Sequence, residues 1–156
     1  MSSPSIQIYP GEGLTSVVYR STPSSPLGGD DLFDLSTKSA EANKRNNITG
    51  YLTYRSGRFA PGRFTQYFEG TGDDVNALYA RLAADPRHVI EFAVTLRVKK
   101  RRFPDWSMQL LDPLWHPTAG ALDAIDELLQ SSTSGQEDHV VVDTLELLVD
   151  RVRIGR

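Results

Sequence analysis

The clearest pattern in the chain is a strict alternation of apolar and polar residues between His88 and Val98. The apolar side chains of this segment are Ile90, Phe92, Val94, Leu96 and Val98. Successive side chains of a strand point to opposite faces, so this period predicts a strand with one buried face. Shorter segments rich in β-branched and aromatic residues predict further strands at 14–20, 49–56, 63–69 and 106–111.

Two helices are predicted between these strands. In segment 30–43 apolar residues recur at helical spacing, as Leu32, Leu35 and Ala40, and an aspartate at its start can cap the helix. A second amphipathic segment begins at Asp73 and ends before Pro86. The order strand, helix, strand, strand, helix, strand, strand predicts an α+β, ferredoxin-like fold with both helices on one face of a mostly antiparallel sheet.

Two further helices are predicted beyond a proline-bearing link that follows Asp112. The first lies at about 118–130, and a polar loop separates it from a last helix with an apolar stripe of Val141, Leu145, Leu148 and Val152. The predicted plan is a flexible N-terminus at 1–13, a sheet-based domain at 14–112 and a helical extension at 113–156. Because so short a helix is unstable alone in water, we expect its stripe to be buried on the sheet or against another subunit.

The composition excludes several classes of function. The chain has no cysteine, which rules out disulfides, thiolate zinc sites and cysteine nucleophiles. Its formal net charge is −3, so the overall charge favours neither nucleic acid nor an anionic membrane, and a small molecule or a protein is the expected partner. The first residues lack the pattern of a signal peptide, and no apolar run is long enough for a membrane span, so we expect a cytoplasmic protein.

One polar residue falls where the strand pattern predicts a hydrophobic one. In segment 63–69, Gln66 shares a face with Phe64 and Phe68. A buried amide without partners costs about 1 to 3 kcal/mol, so Gln66 must find a donor and an acceptor. Judged from this residue alone, a hydrogen bond to neighbouring backbone or to a tyrosine is the more frequent arrangement.

Asn43 is a second polar residue that points toward the predicted sheet. At 3.6-residue spacing it shares a helix face with Leu32, Ser36 and Ser39. The ordinary role of an asparagine at this place is a C-terminal helix cap.

The second helix carries charged residues on the flank of its apolar stripe. Arg81 and Asp85 lie one turn apart, and Arg87 and His88 follow directly after the helix. A solvated ion pair is the ordinary interpretation. Together with Gln66 on the sheet, however, polar flanks on both helices would frame a slot for a flat ligand with polar edges.

Templates for other chemistry fit the chain poorly. Gly11 and Gly13 precede the first strand, whereas a dinucleotide-binding glycine motif follows one. No G-x-S-x-G elbow is present, and metal-ligand spacing is missing among the histidines, which are His88, His116 and His139. The basic run 97–102 has the composition of a phosphate site, but at the end of an amphipathic strand a solvated hairpin tip is more frequent.

Five short motifs, taken in their order along the chain, resemble the BLUF family of flavin photoreceptors. The motifs are Tyr19-Arg20-Ser21, Asn43 followed by Ile48-Thr49-Gly50, Phe64-x-Gln66-x-x-Glu69-Gly70, Asp85-x-Arg87-His88, and Arg102-Phe103 before Trp106-Ser107-Met108. The match runs from about Leu14 to Leu111. This resemblance implies the ferredoxin-like fold already predicted, FAD held non-covalently between the two helices, and light sensing without enzymatic turnover.

The resemblance also implies roles for individual residues. Tyr19 would give up an electron and a proton, and Gln66 would lie between it and the flavin and reverse its hydrogen bonds by rotation or tautomerisation. Asn43 would anchor the polar edge of the ring. The other residues implied to line the flavin are Ser39, Arg81, Asp85, Arg87 and His88. Trp106 and Met108, expected on one face of the last strand, would change environment in the lit state.

Two features differ from the family pattern. The hairpin carries additional residues at Arg58 to Gly62, and we expect no enzymatic output domain after the helical extension. We therefore expect residues 118–156 to carry the signal to a separate protein partner or through a homo-oligomer. Two other interpretations stay open. One is a small ferredoxin-like enzyme of acylphosphatase or monooxygenase type, in which Asn43 and an arginine bind an anionic substrate, and the other is a flavin-free interaction module.

Overall fold

A computed structural model describes residues 3–25, 27–56, 62–114, 116–131 and 139–154. Within these ranges the predicted strands and helices follow each other in the predicted order. The strands are β1 (Leu14–Pro23), β2 (Thr49–Arg55), β3 (Arg63–Thr71), β4 (His88–Leu96) and β5 (Ser107–Leu111). The helices are α1 (Gly29–Arg45), α2 (Gly72–Ala84), α3 (Ala119–Ser131) and α4 (His139–Ile154). Of the additional hairpin residues, Arg58 to Pro61 lie outside the described ranges.

The strands form one sheet in the order β4-β1-β3-β2-β5. The pairs β1–β3, β1–β4 and β2–β3 are antiparallel, as predicted for the hairpin, whereas β5 runs parallel to β2. Strands β4 and β5 therefore lie on opposite edges, and the connection between them must cross the sheet. Phe103 of this connection is fully buried in the cluster beneath α3 and α4, so the crossing runs on that face.

Each face of the sheet has its own apolar cluster. The cluster under the first two helices, here called the α1/α2 face, includes Val17, Tyr19, Leu52, Phe64, Phe68, Ile90, Val75, Leu78 and Tyr79. The cluster under the last two helices, the α3/α4 face, includes Val18, Tyr51, Tyr67, Phe92, Val94, Leu96, Leu122, Ile125, Leu129, Leu145, Val149 and Val152. Alternate residues of β1 and β3 enter opposite clusters, which is the period-2 arrangement of a strand covered on both faces.

The alternation predicted for β4 holds for only part of the strand. Phe92, Val94 and Leu96 join the α3/α4 face as one set, but Ile90 lies in the cluster of the α1/α2 face. The pairing of β1 with β4 shifts register at this point, between Arg20 and Ser21. A bulge of this kind adds a residue to one strand and turns the side chains beyond it to the other face.

The last helix buries the predicted apolar stripe against the sheet of its own chain. Leu145 and Val152 are fully buried, and Val141 and Leu148 are partly buried against the same cluster. Helix α3 is fixed by its buried Asp126, which receives two hydrogen bonds from Arg63 Nε and one of 2.6 Å from Arg63 Nη2. Residues of the two C-terminal helices therefore form the second layer over the sheet.

Residues 3–13, predicted as a flexible terminus, lie beside α2, and Ile8 joins the cluster of the α1/α2 face. The hydroxyl of Tyr79 donates a 2.6 Å hydrogen bond to the carbonyl oxygen of Pro4, and Asn76 Nδ2 donates one of 3.1 Å to that of Ile8. At Gly72 an added Cβ would lie 2.0 Å from the carbonyl oxygen of Tyr9. Only glycine permits this close approach of the N-terminal segment to the start of α2.

Candidate functional site

Tyr19 and Gln66 form the centre of the candidate site. They lie directly opposite each other in the antiparallel register of β1 and β3, and both side chains point to the α1/α2 face. Tyr19 is 3% exposed and Gln66 is 5% exposed. The phenol of Tyr19 donates a 2.6 Å hydrogen bond to Oε1 of Gln66. The two side chains expected within hydrogen-bond reach of each other thus form a buried phenol–amide pair.

Met108 is the second partner of the Gln66 amide. Gln66 Nε2 donates to Sδ of Met108 over 3.1 Å, and a thioether sulfur is a weak acceptor. Met108 has a φ of 116°, a conformation that residues other than glycine rarely adopt, next to a register shift in the β2–β5 pairing. Because a carboxamide NH₂ carries two donors, one hydrogen of Gln66 remains for another acceptor.

Aromatic rings and burial define the environment of the Tyr19 phenol. The rings of Phe68 and His88 meet the ring of Tyr19 edge to face, with centroids 6.4 and 5.9 Å away. Burial raises the pKa of Tyr19 well above its usual value, and the negative charge of Asp85 raises that pKa further. The phenol therefore stays protonated at neutral pH and acts as a neutral hydrogen-bond donor.

His88 is held in one tautomer by its two neighbours. Its Nε2 lies 2.8 Å from the carbonyl oxygen of Leu82, which can only accept, so Nε2 carries the proton. In the neutral ring Nδ1 then accepts from the hydroxyl of Ser21, which is 2.8 Å away and fully buried. Ser21 was not among the candidate site residues. The only available signal was its position two residues after Tyr19, on the same strand face.

Asp85 pairs with Arg87 and not with Arg81. Arg87 binds both carboxylate oxygens, with a shortest contact of 2.7 Å from Nη2 to Oδ2, and these bonds lower the pKa of Asp85. Arg81 is exposed and makes no hydrogen bond or ion pair with the described residues. The helical spacing of Arg81 and Asp85 predicted an ion pair one turn apart. This prediction fails because Asp85 is the C-cap of α2 and its backbone is already extended.

Asn43 is the only side chain of α1 that is fully buried, at 3% exposure. It is not the helix cap, because Asn46 takes that position and donates its backbone N–H to Ala42 and Asn43 carbonyl oxygens. In the described part of the chain the side-chain amide of Asn43 has no hydrogen-bond partner. Ser39 lies one turn earlier on the same helix face and is partly exposed.

Trp106 and Met108 lie on opposite faces of the sheet, so the prediction that they share one face is wrong. Met108 belongs to the cluster on the α1/α2 face, whereas Trp106 packs against the other cluster and stacks on Phe103 with ring centroids 5.1 Å apart. Trp106 precedes β5 and donates its backbone N–H to the carbonyl oxygen of Phe103. It therefore lies in a turn, where strand alternation does not apply.

A buried polar network on the α3/α4 face was also missed. Glu69 is fully buried and accepts hydrogen bonds from the Tyr67 hydroxyl, the Thr49 hydroxyl and the backbone N–H groups of Arg102 and Phe103. Arg102 Nη1 donates to the hydroxyl of Tyr67 over 2.9 Å. The sequence did carry a signal for this network. Tyr67 and Glu69 alternate with Gln66 in the predicted strand 63–69, so they were expected on the opposite face of the sheet.

Comparison with known proteins decides the family. Residues 14–109 match the family model of BLUF, described as sensors of blue light using FAD. The chain belongs to the BLUF family. Its BLUF segment contains both members of the phenol–amide pair, and it ends within β5. No helix in the described ranges is long and apolar enough to cross a membrane.

Relatives and solved structures include other BLUF proteins. The photoactivated adenylate cyclase subunit beta of Euglena longa is 28% identical over 137 residues, which cover 86% of this chain and 15% of that protein. The dark-state structure of BlrB, a BLUF protein, is 28% identical with a TM-score of 0.60 and covers 88% of this chain and 96% of BlrB. The photo-activated BlsA structure shares the fold, with a TM-score of 0.66 at 20% identity over 92% and 96% of the two chains.

The residues of the α1/α2 face fit a flavin. Asn43 is 3% exposed and its side-chain amide has no hydrogen-bond partner among the described residues, and Gln66 keeps a second N–H for a ligand acceptor. Helix α1 packs over β5 and β2, whereas α2 packs over β3 and β1. The inward side chains Leu32, Leu35 and Ser39 are only partly buried. Unpaired amide groups beside a partly uncovered apolar face suit a flat ring with carbonyl and N–H groups on its edge.

Proposed function

We propose that this BLUF protein holds FAD non-covalently and uses Tyr19 and Gln66 as a light-driven hydrogen-bond switch, without turning over a substrate. The observation that carries the proposal is the buried 2.6 Å hydrogen bond from the Tyr19 phenol to Oε1 of Gln66. The family's use of FAD supports FAD over other flavins. A cytoplasmic location is part of the same proposal.

Tyr19 supplies the proton in this proposal. A bound flavin absorbs blue light and, once excited, is a strong one-electron oxidant. The raised pKa of Tyr19 keeps its proton on the phenol in the dark. Loss of an electron makes a phenol strongly acidic, and the only hydrogen-bond acceptor found for that proton among the described residues is Oε1 of Gln66. The short contact gives the proton one defined path out and back, and its return together with the electron would leave Tyr19 and the ligand in their starting redox states.

Gln66 stores the result as a changed hydrogen-bond pattern. In the dark arrangement Oε1 faces Tyr19 and Nε2 faces Met108. Rotation or tautomerisation of the amide would exchange donor and acceptor at the contacts with Tyr19 and Met108. The group that Gln66 presents to the ligand would change in the same way. The donor–sulfur bond to Met108 would then be lost, so the change reaches β5 directly. No covalent bond to the ligand is needed, and the state can relax in the dark.

The remaining site residues are proposed to hold and orient the ring. Asn43 offers both a donor and an acceptor to the polar edge of a flavin. Arg87 and Asp85 form a charged rim beside α2, and Arg81 is exposed and available to an anionic part of the cofactor. His88 supports the Tyr19 ring from the side, and Ser39 lies one turn from Asn43 on α1.

The proposed output leaves through β5 and the C-terminal helices. Met108 contacts Gln66 on one face of the sheet, and Trp106, two residues earlier, packs on the other face against the cluster that includes α3 and α4. A shift of β5 would therefore disturb both layers. The recipient is proposed to be a separate effector protein. The relative from Euglena longa is named as a cyclase subunit, and it contains long segments that this chain does not cover.

An absorption spectrum before and after blue light tests the proposal. The purified protein should show a flavin band that moves slightly to the red and recovers in the dark. Tyr19→Phe should keep flavin and lose the shift, because the ring stays but the transferable proton is gone. Gln66→Leu should also keep flavin and lose the normal shift. A colourless protein that cannot be reconstituted would favour the enzyme or interaction-module interpretations instead.

Tyr51→Phe is a matched control for the tyrosine variant. Tyr51 is also a fully buried tyrosine, but its hydroxyl lies on the α3/α4 face and has no hydrogen-bond partner among the described residues. Removing that hydroxyl should leave the red shift unchanged. A normal lit spectrum in Tyr19→Phe, or its loss in Tyr51→Phe, would contradict the assigned switch.

Hydrogen exchange in the dark and in the light tests the output route. Amides of β5, α3 and α4 should exchange faster or slower in the lit protein than in the dark protein. Identical exchange in all three elements, with a normal red shift, would mean that α3 and α4 only cover the sheet and that the signal leaves elsewhere.

A further inference from the structure

Helix α4 exposes a second apolar stripe, distinct from the one it buries. Val140, Leu147 and Ile154 are 71%, 66% and 72% exposed. They are three of the six large hydrophobic side chains that stand exposed in the described part of the chain, and they recur at a strict spacing of seven residues. One apolar position in every seven residues keeps these side chains on one line of the helix, and it is half of the two-per-heptad pattern with which a helix packs along another. Scattered exposed hydrophobics would not share one line on one helix.

Charged residues lie on both sides of this stripe. At about 100° per residue, Asp143 and Asp150 fall on one side of Leu147, and Thr144 and Arg151 on the other. Arg151 is exposed and makes no hydrogen bond or ion pair with described residues. Asp150 accepts a hydrogen bond from Arg102 Nε at Oδ1, and its Oδ2 accepts none from the described residues. One flank thus offers a cation and the other an acceptor.

We propose that the exposed face of α4 binds α4 of a second copy of this chain, with the two helices parallel and in register. A two-fold axis along the helices places Leu147 against its counterpart and brings Arg151 of each copy beside Asp150 of the other. Two ion pairs then flank the apolar line. In the antiparallel arrangement centred on Leu147, Asp143 of one copy would instead face Asp150 of the other. Asp143 already pairs with Arg97 and Asp150 with Arg102, so no new ion pair would form.

The dimer is expected to be weak. Three aliphatic side chains and their flanks bury much less than the roughly 800 Å² per partner of a standard interface. Association should therefore appear only at micromolar concentrations or above. The proposal does not rest on the proposed light switch, because α4 has this surface whatever occupies the opposite face of the sheet.

Sedimentation velocity of the full chain in the dark, over a concentration series, tests the self-association. The wild type should change from monomer to dimer as concentration rises. Leu147→Asp should weaken dimerisation at least tenfold, and Arg151→Glu several-fold. Leu114→Asp is the matched control, because Leu114 is 74% exposed but lies after β5, away from α4. A wild type that stays monomeric, or equal dimerisation by wild type and Leu147→Asp, would overturn the proposal.

Disulfide trapping then determines the orientation of the helices. The chain has no cysteine, so single-cysteine variants are unambiguous. In the parallel dimer Ile154→Cys meets its counterpart and should cross-link under mild oxidation, as should Leu147→Cys. In the antiparallel arrangement the two copies of residue 154 are about 21 Å apart, too far for a disulfide. If Leu147→Cys cross-links and Ile154→Cys does not, the parallel dimer is overturned. Leu114→Cys is the control, because any cross-linking of this variant measures random collisions.

Discussion

The two faces of the sheet bury polar side chains in opposite ways. On the α3/α4 face, the buried carboxylate of Glu69 accepts four hydrogen bonds, and Arg102 is held by Tyr67 and Asp150. On the α1/α2 face, the side-chain amide of the buried residue Asn43 has no partner among the described residues. Gln66, on the same face, donates one of its two amide hydrogens to the sulfur of Met108, which is a weak acceptor.

This difference suggests that the polar groups of the α3/α4 face stabilise the fold, whereas those of the α1/α2 face bind a ligand. A polar network whose members are all paired rigidifies a core, whereas a buried polar group left unpaired is costly unless something else completes it. On the α3/α4 face the network of Glu69, Tyr67 and Arg102 is paired within the chain, although the hydroxyl of Tyr51 has no partner among the described residues. The α1/α2 face is completed by a ligand with its own donors and acceptors, which is the role proposed for the flavin. Substitutions on the α3/α4 face should therefore lower the free energy of unfolding, whereas substitutions on the α1/α2 face should lower flavin affinity.

The largest loss of stability is expected from Glu69→Gln. The substituted amide keeps the shape of the side chain but turns an NH₂ group toward hydrogen-bond donors. The free energy of unfolding should fall by about 3 kcal/mol, because buried donors lose their acceptor. Urea unfolding measures the loss. Glu91→Gln is the control, since Glu91 on β4 bonds Arg20 at the surface and its replacement should cost about 0 to 1 kcal/mol. Equal losses in the two variants would mean that the buried network stabilises the fold no more than a surface ion pair does.

Asp126→Asn should have the next largest effect, by loosening α3 from the sheet. The side chain of Asp126 is only 6% exposed and holds Arg63 through both carboxylate oxygens. We expect a loss of about 1 to 2 kcal/mol in urea unfolding, reduced from the value for a fully buried pair because Arg63 is partly exposed. Asp123→Asn, on the same helix at 54% exposure, should cost no more than about 0.5 kcal/mol. The reverse ranking would refute this account of how α3 is anchored.

Asn43→Ala sharpens the contrast between the faces. Because its amide has no partner within the described chain, the flavin-free protein should lose less than about 1 kcal/mol of stability. Flavin affinity should nevertheless fall by about 10- to 100-fold, as expected for one or two lost hydrogen bonds. A fluorescence titration with FAD measures the affinity. Asn46→Ala, at the exposed end of α1, should leave that affinity unchanged. Unaltered flavin binding in Asn43→Ala would exclude Asn43 from the ring site.

The smallest expected effect concerns the rim of the α1/α2 face. Arg87 lowers the pKa of Asp85 below its usual value of 3.8, so the pair stabilises the fold above that pH and the contribution is lost as pH falls through the lower folded value. With Arg87 75% exposed, the contribution should be at most about 0.5 kcal/mol. Wild type and Asp85→Asn should differ by this amount near neutral pH and converge in acid. A gap that widens in acid would contradict the assigned pair.

Residue periodicity alone identified most of the fold and the central polar residue of the site. The alternation in β3 assigned Gln66 to the same face as Phe64 and Phe68, and the structure confirms that placement. The apolar stripes predicted that each helix buries one face, and of the two places left open for the last helix, the sheet or another subunit, the structure shows the sheet. These features depend on local spacing, since a strand repeats every two residues and a helix every 3.6.

Tertiary structure decided the features that lie where a repeat ends or shifts. Asp85 pairs with Arg87 because the helix has already ended there, Trp106 turns away from Met108 because it precedes β5, and a bulge sends Ile90 to the other face. Likewise, α4 carries two apolar lines, and only the packed sheet determines which one is covered. Local spacing specifies which side chains point the same way, whereas register, bulges and the packing of distant elements determine what those side chains meet.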